Sequence, residues 1–123
     1  MEPTWKRPKV IPSTTYHIDT NEGCLHLTLG YEEGDDGKQR IIEVRGVIGK
    51  AGTYSNVWVD TLCKLLSMYI QSPEPRYKFG KKMELLSDIS MGMETFKWEN
   101  EKYQSVLDVI VKTVAREIEK QVV

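Results

Sequence analysis

The 123-residue chain balances 17 Lys and Arg against 18 Asp and Glu, for a net charge of -1, with 40% hydrophobic and 28% charged residues. That length and composition fit one domain with a single core and exclude the disordered and fibrous classes. The near-neutral balance excludes a global field that would draw the chain onto duplex nucleic acid or anionic lipid, so any anion site must be local.

No apolar run approaches the ~20 residues that cross a bilayer, so no membrane partner is expected. The stretch Met1 to Pro12 lacks the apolar segment of a signal peptide, and a cytoplasmic location is the expectation. Cys24 and Cys63 are too few for a disulfide framework and lack partners at metal-ligand spacing, which reads both as buried thiols.

Residues 1–12 mix Pro3, Pro8 and Pro12 with Lys6, Arg7 and Lys9, an extended basic arm, because each proline fixes φ and removes a donor. Residues 13–123 then form a single α+β domain. A strand is expected around Thr14 to Ile18. From Cys24 the chain alternates, Leu25, Leu27 and Leu29 on one side and His26 and Thr28 on the other, the period of a half-buried strand. The acidic, glycine-containing stretch Glu32 to Gly37 suits a hairpin loop, and Ile41, Ile42, Val44, Val47 and Ile48 supply the returning strand.

After Gly52 the period lengthens. Trp58, Leu62, Leu65, Leu66 and Tyr69 recur at three- and four-residue intervals, predicting a helix from Tyr54 to Ile70 with those residues inward and Pro73 and Pro75 ending it. A shorter helix is expected from Lys81 to Ser90, with Met83, Leu86 and Ile89 inward and Gly92 beyond its end. A last helix is expected from Glu101 to the terminus, with Tyr103, Leu107, Ile110, Val114 and Ile118 on its apolar stripe and Asp108, Lys112, Arg116 and Lys120 on its other side. The architecture implied is a small, hairpin-based antiparallel sheet covered on one face by two to three helices, in two layers.

Three places offer ligand chemistry. In Val47 to Thr53 the glycines would let backbone amides around Lys50 and Gly52 meet a phosphate at a helix N-terminus. The Walker A spacing is absent, and the same residues suit a tight turn with a Thr or Ser cap. Lys112, Arg116 and Lys120 form a basic row on the last helix that suits phosphate, with Arg116 the strongest contact, or a solvated face paired with Asp108, Glu117 and Glu119. Arg76 to Lys82 interleaves cations with Tyr77 and Phe79, so that an aromatic face can stack on a base while a cation meets phosphate, or an ordinary loop pins two rings on the core. Met91, Met93, Phe96 and Trp98 form an apolar wall or plain core.

Catalytic constellations are thin. His17 and His26 fall on strands with no nucleophile elbow, metal-spaced partner or carboxylate pair beside them, and Glu32, Glu33, Asp35 and Asp36 lack EF-hand ligand spacing. The expectation is a binding protein, not an enzyme, with no cofactor and no metal.

The runs Gly23 to Leu29, Glu43 to Gly52, which ends in Gly49-Lys50-Ala51-Gly52, and Asp60 to Ser67 resemble, in that order, the TSCPD domain. The resemblance covers roughly Gly23 to Ile70. TSCPD domains occur at the C-terminal end of cobalamin-dependent ribonucleotide reductases, which implies an accessory or regulatory domain acting through protein contacts. The chain departs from the family in lacking its C-terminal cysteine signature: Asp88 to Gly92 and Ser105 to Asp108 hold no cysteine. In size, organisation and charged C-terminal helix the chain is also similar to the phage Thoeris anti-defence sponges. These are oligomers that sequester cyclic ADP-ribose signals, which implies a nucleotide-like ligand and a homo-oligomer, dimer or higher. Under that reading Arg116 and Lys64 hold phosphates and Phe79 or a neighbouring aromatic stacks on adenine, with Lys112, Lys50 and Gly52 as further ligand-binding residues. A further reading is a small structural oligomer with no small ligand, in which an exposed Trp5, Trp58 or Trp98 contributes to a subunit interface.

Overall fold

The structure is a computed structural model that describes residues 7–33, 37–49, 53–71 and 95–122. Three strands, β1 (Ser13–Thr20), β2 (Gly23–Glu33) and β3 (Gln39–Ile48), form an antiparallel sheet in the order β1-β2-β3. The register sets Ile18 opposite Leu25 and Leu25 opposite Ile48, and likewise Tyr16, Leu27 and Gly46 in one row, then Leu29 and Val44. Because strand side chains alternate, these residues share one face, and Ile18, Leu25, Leu27, Leu29, Val44 and Ile48 are buried on it.

The opposite face carries His17 beside His26, Thr15 hydrogen-bonded to Thr28 at 2.9 Å, and Cys24 across from Asp19. Cys24 is exposed, not buried as the sequence suggests: it sits one residue out of phase with Leu25 and therefore points to water. Residues 7–12 of the arm return to this face. Arg7 pairs with Glu43 at 2.9 Å, Ile11 lies over Gly30 where a Cβ would collide with it, and Pro12 accepts a hydrogen bond from the Tyr31 amide.

Helix α1 spans Tyr54–Ile70, the expected bounds, and begins with Thr53, whose hydroxyl accepts from the Asn56 amide. Its buried face differs from the expected one. Val59, Cys63, Leu66 and Ile70 pack on the sheet, Leu62 and Tyr69 flank the core, and Trp58 and Leu65 are 58% and 57% exposed. The approach is close because β3 offers Gly46 beneath Val59 and Cys63.

The same helix satisfies the backbone along β3. Ser67 Oγ accepts from the Val44 amide and donates to the carbonyl of Val44, Gln71 donates to the Ile42 carbonyl, and Asn56 accepts from the Ile48 amide. Side chains thus take up backbone groups that an edge strand would otherwise present for pairing with another chain.

Glu101 to Tyr103 are not helical. Strands β4 (Phe96–Trp98) and β5 (Glu101–Tyr103) form a separate hairpin, and the last helix, α2, spans Val106–Val122. Ser105 ends the extended segment: its hydroxyl accepts from the Asp108 amide, while the Asp108 carboxylate accepts from the Gln104 amide, a reciprocal cap with an acid three residues after the serine. Val106, Val109, Ile110, Val111, Val114 and Ile118 are buried, so α2 is enclosed on most of its circumference. The two described helices and the apolar face of the sheet share one core, giving the expected α+β architecture. Among the described residues no helix is long and apolar enough to cross a membrane. The expected helix from Lys81 to Ser90 lies outside the described residues.

Candidate ligand site around Tyr103 and Arg116

The polar row expected on the outside of α2 is only partly in water. Asp108 is fully buried and Lys112 is one-quarter exposed, because the β4–β5 hairpin packs on that side of the helix. Lys112 pairs with Asp108 at 3.2 Å, and Lys120, largely in water, pairs with Glu117 at 3.0 Å. These are the helix ion pairs of the blander sequence reading.

Tyr103, at the end of β5, is the centre of the cluster. Its ring is buried and stacks on Phe96 with centroids 5.8 Å apart, and Trp98 lies 6.4 Å away. Trp98 in turn meets Tyr16 of β1 edge-on at 6.1 Å, which fastens the hairpin to the sheet. Above the Tyr103 ring stand two cations, the Arg116 guanidinium at 5.7 Å and the Lys112 ammonium at 5.6 Å from its centroid.

Arg116 Nη1 donates to the Tyr103 hydroxyl at 2.9 Å, Arg116 Nη2 pairs with Glu101, and that hydroxyl donates to the same Glu101 carboxylate at 3.2 Å. The Arg116 side chain is 41% exposed. Burial disfavours its charge, but the Tyr103 hydroxyl and the Glu101 carboxylate outweigh burial and hold its pKa above the ordinary value. Burial also raises the Tyr103 pKa, against the neighbouring guanidinium, so the phenol stays protonated and able to donate.

Lys64 does not join this cluster. It lies on α1, pairs with Asp60 at 2.8 Å, and lines a groove of about 400 Å³ between α1 and β3, with Glu43, Arg45, Ser67, Met68 and Gln71. None of the groove's lining residues belongs to the Tyr103 group. Phe79, Lys50 and Gly52 lie outside the described residues, as do Met91 and Met93.

No family model, curated protein or solved structure matches the chain. Among the described residues no group of three or more His, Cys, Asp or Glu side chains is arranged to hold a metal ion.

The sequence singles out the two cations but not the residues that organise them, Tyr103, Glu101, Phe96 and Trp98. Periodicity puts Tyr103 on a helical stripe, and composition puts the two rings of β4 in a generic apolar wall. The signal that finds them is Ser105 with Asp108, a helix start that leaves residues 96–103 outside α2.

Proposed function

We propose that the chain is a non-catalytic binding protein for a nucleotide-like ligand, a sponge that sequesters a cyclic ADP-ribose or cyclic nucleotide signal, with Arg116 as its principal phosphate contact. The observation that carries this reading is the Arg116 guanidinium, fixed by the Tyr103 hydroxyl yet 41% exposed, with the half-exposed Glu101 carboxylate as its internal counter-ion.

A phosphate offers the planar fork of arginine the same bidentate geometry as a carboxylate and more charge. Binding then exchanges Glu101 for ligand oxygen, with Tyr103 keeping the guanidinium in place. Lys112 lies over the same ring with its charge paired to the buried Asp108, and the partly exposed Phe96 and Trp98 supply apolar surface for a base. Capture of this kind needs no nucleophile and no general base.

The test is capture and release. Protein incubated with cyclic ADP-ribose isomers and then heated should return intact ligand. Arg116→Ala should weaken binding roughly 10- to 100-fold, the loss of a charge-assisted contact. Glu101→Gln should tighten it, because the internal competitor has lost its charge. Cleaved ligand, no capture, or unchanged affinity in a folded Arg116→Ala protein rejects the proposal.

A further inference from the structure

Helix α1 has two apolar faces, and the sheet covers only one. Val59, Cys63, Leu66 and Ile70 pack inward, while Tyr54, Trp58, Leu65 and Met68 stand 88%, 58%, 57% and 68% exposed. With exposed Thr61, these outer residues recur at alternating spacings of four and three, the a/d pattern of a helix that pairs with another helix. Val57 widens the stripe.

We infer that this outer face of α1 is a self-association surface on which a second copy of the chain docks with its own α1 antiparallel. Three observations favour a second copy over another partner. The stripe exposes on the order of 600 Å² of side chain, so pairing two copies removes at most about 1,200 Å², which reaches the lower bound of specific interfaces only when the stripe is fully covered. The charges beside it are one Asp60 and one Lys64, so α1 presents no net charge that would select an oppositely charged partner or repel its own copy.

Those charges also lie symmetrically about Leu62, the middle of the helix. A two-fold axis there sets Asp60 of each copy toward Lys64 of the other, as a self-complementary contact requires. The same axis carries Trp58 of each copy to the Leu65 and Met68 end of the other. The interface is then anchored by one aromatic residue per copy laid against the exposed Leu65 of the other.

The surface is independent of the Arg116 cluster, so its test does not depend on ligand capture. The full chain at micromolar concentration should show the mass of a dimer by light scattering. A Trp58→Glu, Leu65→Glu protein should run as a monomer with unchanged far-ultraviolet circular dichroism, since both side chains lie outside the core. In a Cys24→Ser background, Thr61→Cys, close to the axis, should oxidise to a disulfide-linked dimer in high yield, a readout that does not rely on the double variant folding. A monomeric wild type overturns the inference, whether the face is bare or covered by residues 72–94 of the same chain. A dimer that survives the double substitution, or a Thr61→Cys protein that fails to cross-link, overturns it too.

Discussion

A Cβ built on Gly46 would lie 2.8 Å from Val59 Cγ1 and 3.0 Å from Cys63 Sγ, both atoms of a helix packed into the core. Neither neighbour is the free end of a long side chain, so a methyl group there must lift α1 from β3. Gly46→Ala should therefore destabilise the fold by about 1–3 kcal/mol, the usual cost of overpacking a filled core. Chemical denaturation of the two proteins side by side measures it. An unchanged midpoint would mean that α1 rests on the sheet less closely than this geometry has it. Nothing in the β3 sequence marks Gly46 as a seat for a helix, because the residue that needs the space, Val59, belongs to the next element along the chain. At other positions the residue alone is informative: Thr53 is legible as a cap, and Leu25, Leu27 and Leu29 as core, from local pattern.

At the scale of elements, strong periodicity is readable and short pieces are not. β2, β3 and α1 each carry a run of apolar residues long enough to define a period, and all three form where that period lies. β4 and β5 are three residues each, too short for any period, and their turn hides its signal. Glu99 and Asn100 both adopt positive φ, 50° and 67°, the pairing required of a two-residue turn with the twist of its strands. Asparagine tolerates that conformation, whereas glutamate is strained in it. The double substitution Glu99→Asn, Asn100→Gly installs the residue pair this turn favours. It should stabilise the protein by about 0.5–1 kcal/mol and raise its melting temperature, as scanning calorimetry would register. A lower melting temperature would show that the Glu99 side chain matters more to the fold than its backbone strain.

For the whole molecule, burial sets an alkaline limit on stability. Burial, aided by Asp60, pushes the Cys63 thiol from 9.0 up to about 12, and burial together with Glu117 pushes Tyr16 from 10.0 up to about 12. In both cases the folded-state pKa lies above the unfolded one, so the unfolded chain releases its proton first as pH rises. The stability these groups contribute is complete below about pH 9 and is lost between roughly 9 and 12. Melting temperatures recorded from pH 7 to 11 should hold level and then fall. In Cys63→Ala, which starts lower because it leaves a cavity, the fall should be shallower. An equally steep fall in that variant would assign the alkaline loss to other groups.

The sequence by itself determined the α+β class, the hairpin of β2 and β3, the limits of α1 and the two cations of the candidate site, because each is written in the alternation, spacing or chemistry of residues near in the chain. Tertiary structure alone decided which face of α1 meets the sheet, since two apolar stripes on one helix are indistinguishable until Gly46 provides room for one of them. It also decided that Arg116 and Lys112 stand over Tyr103 and not in open solvent: a hairpin folded against α2 from outside the helix brings that ring beneath them, a contact that no local pattern encodes.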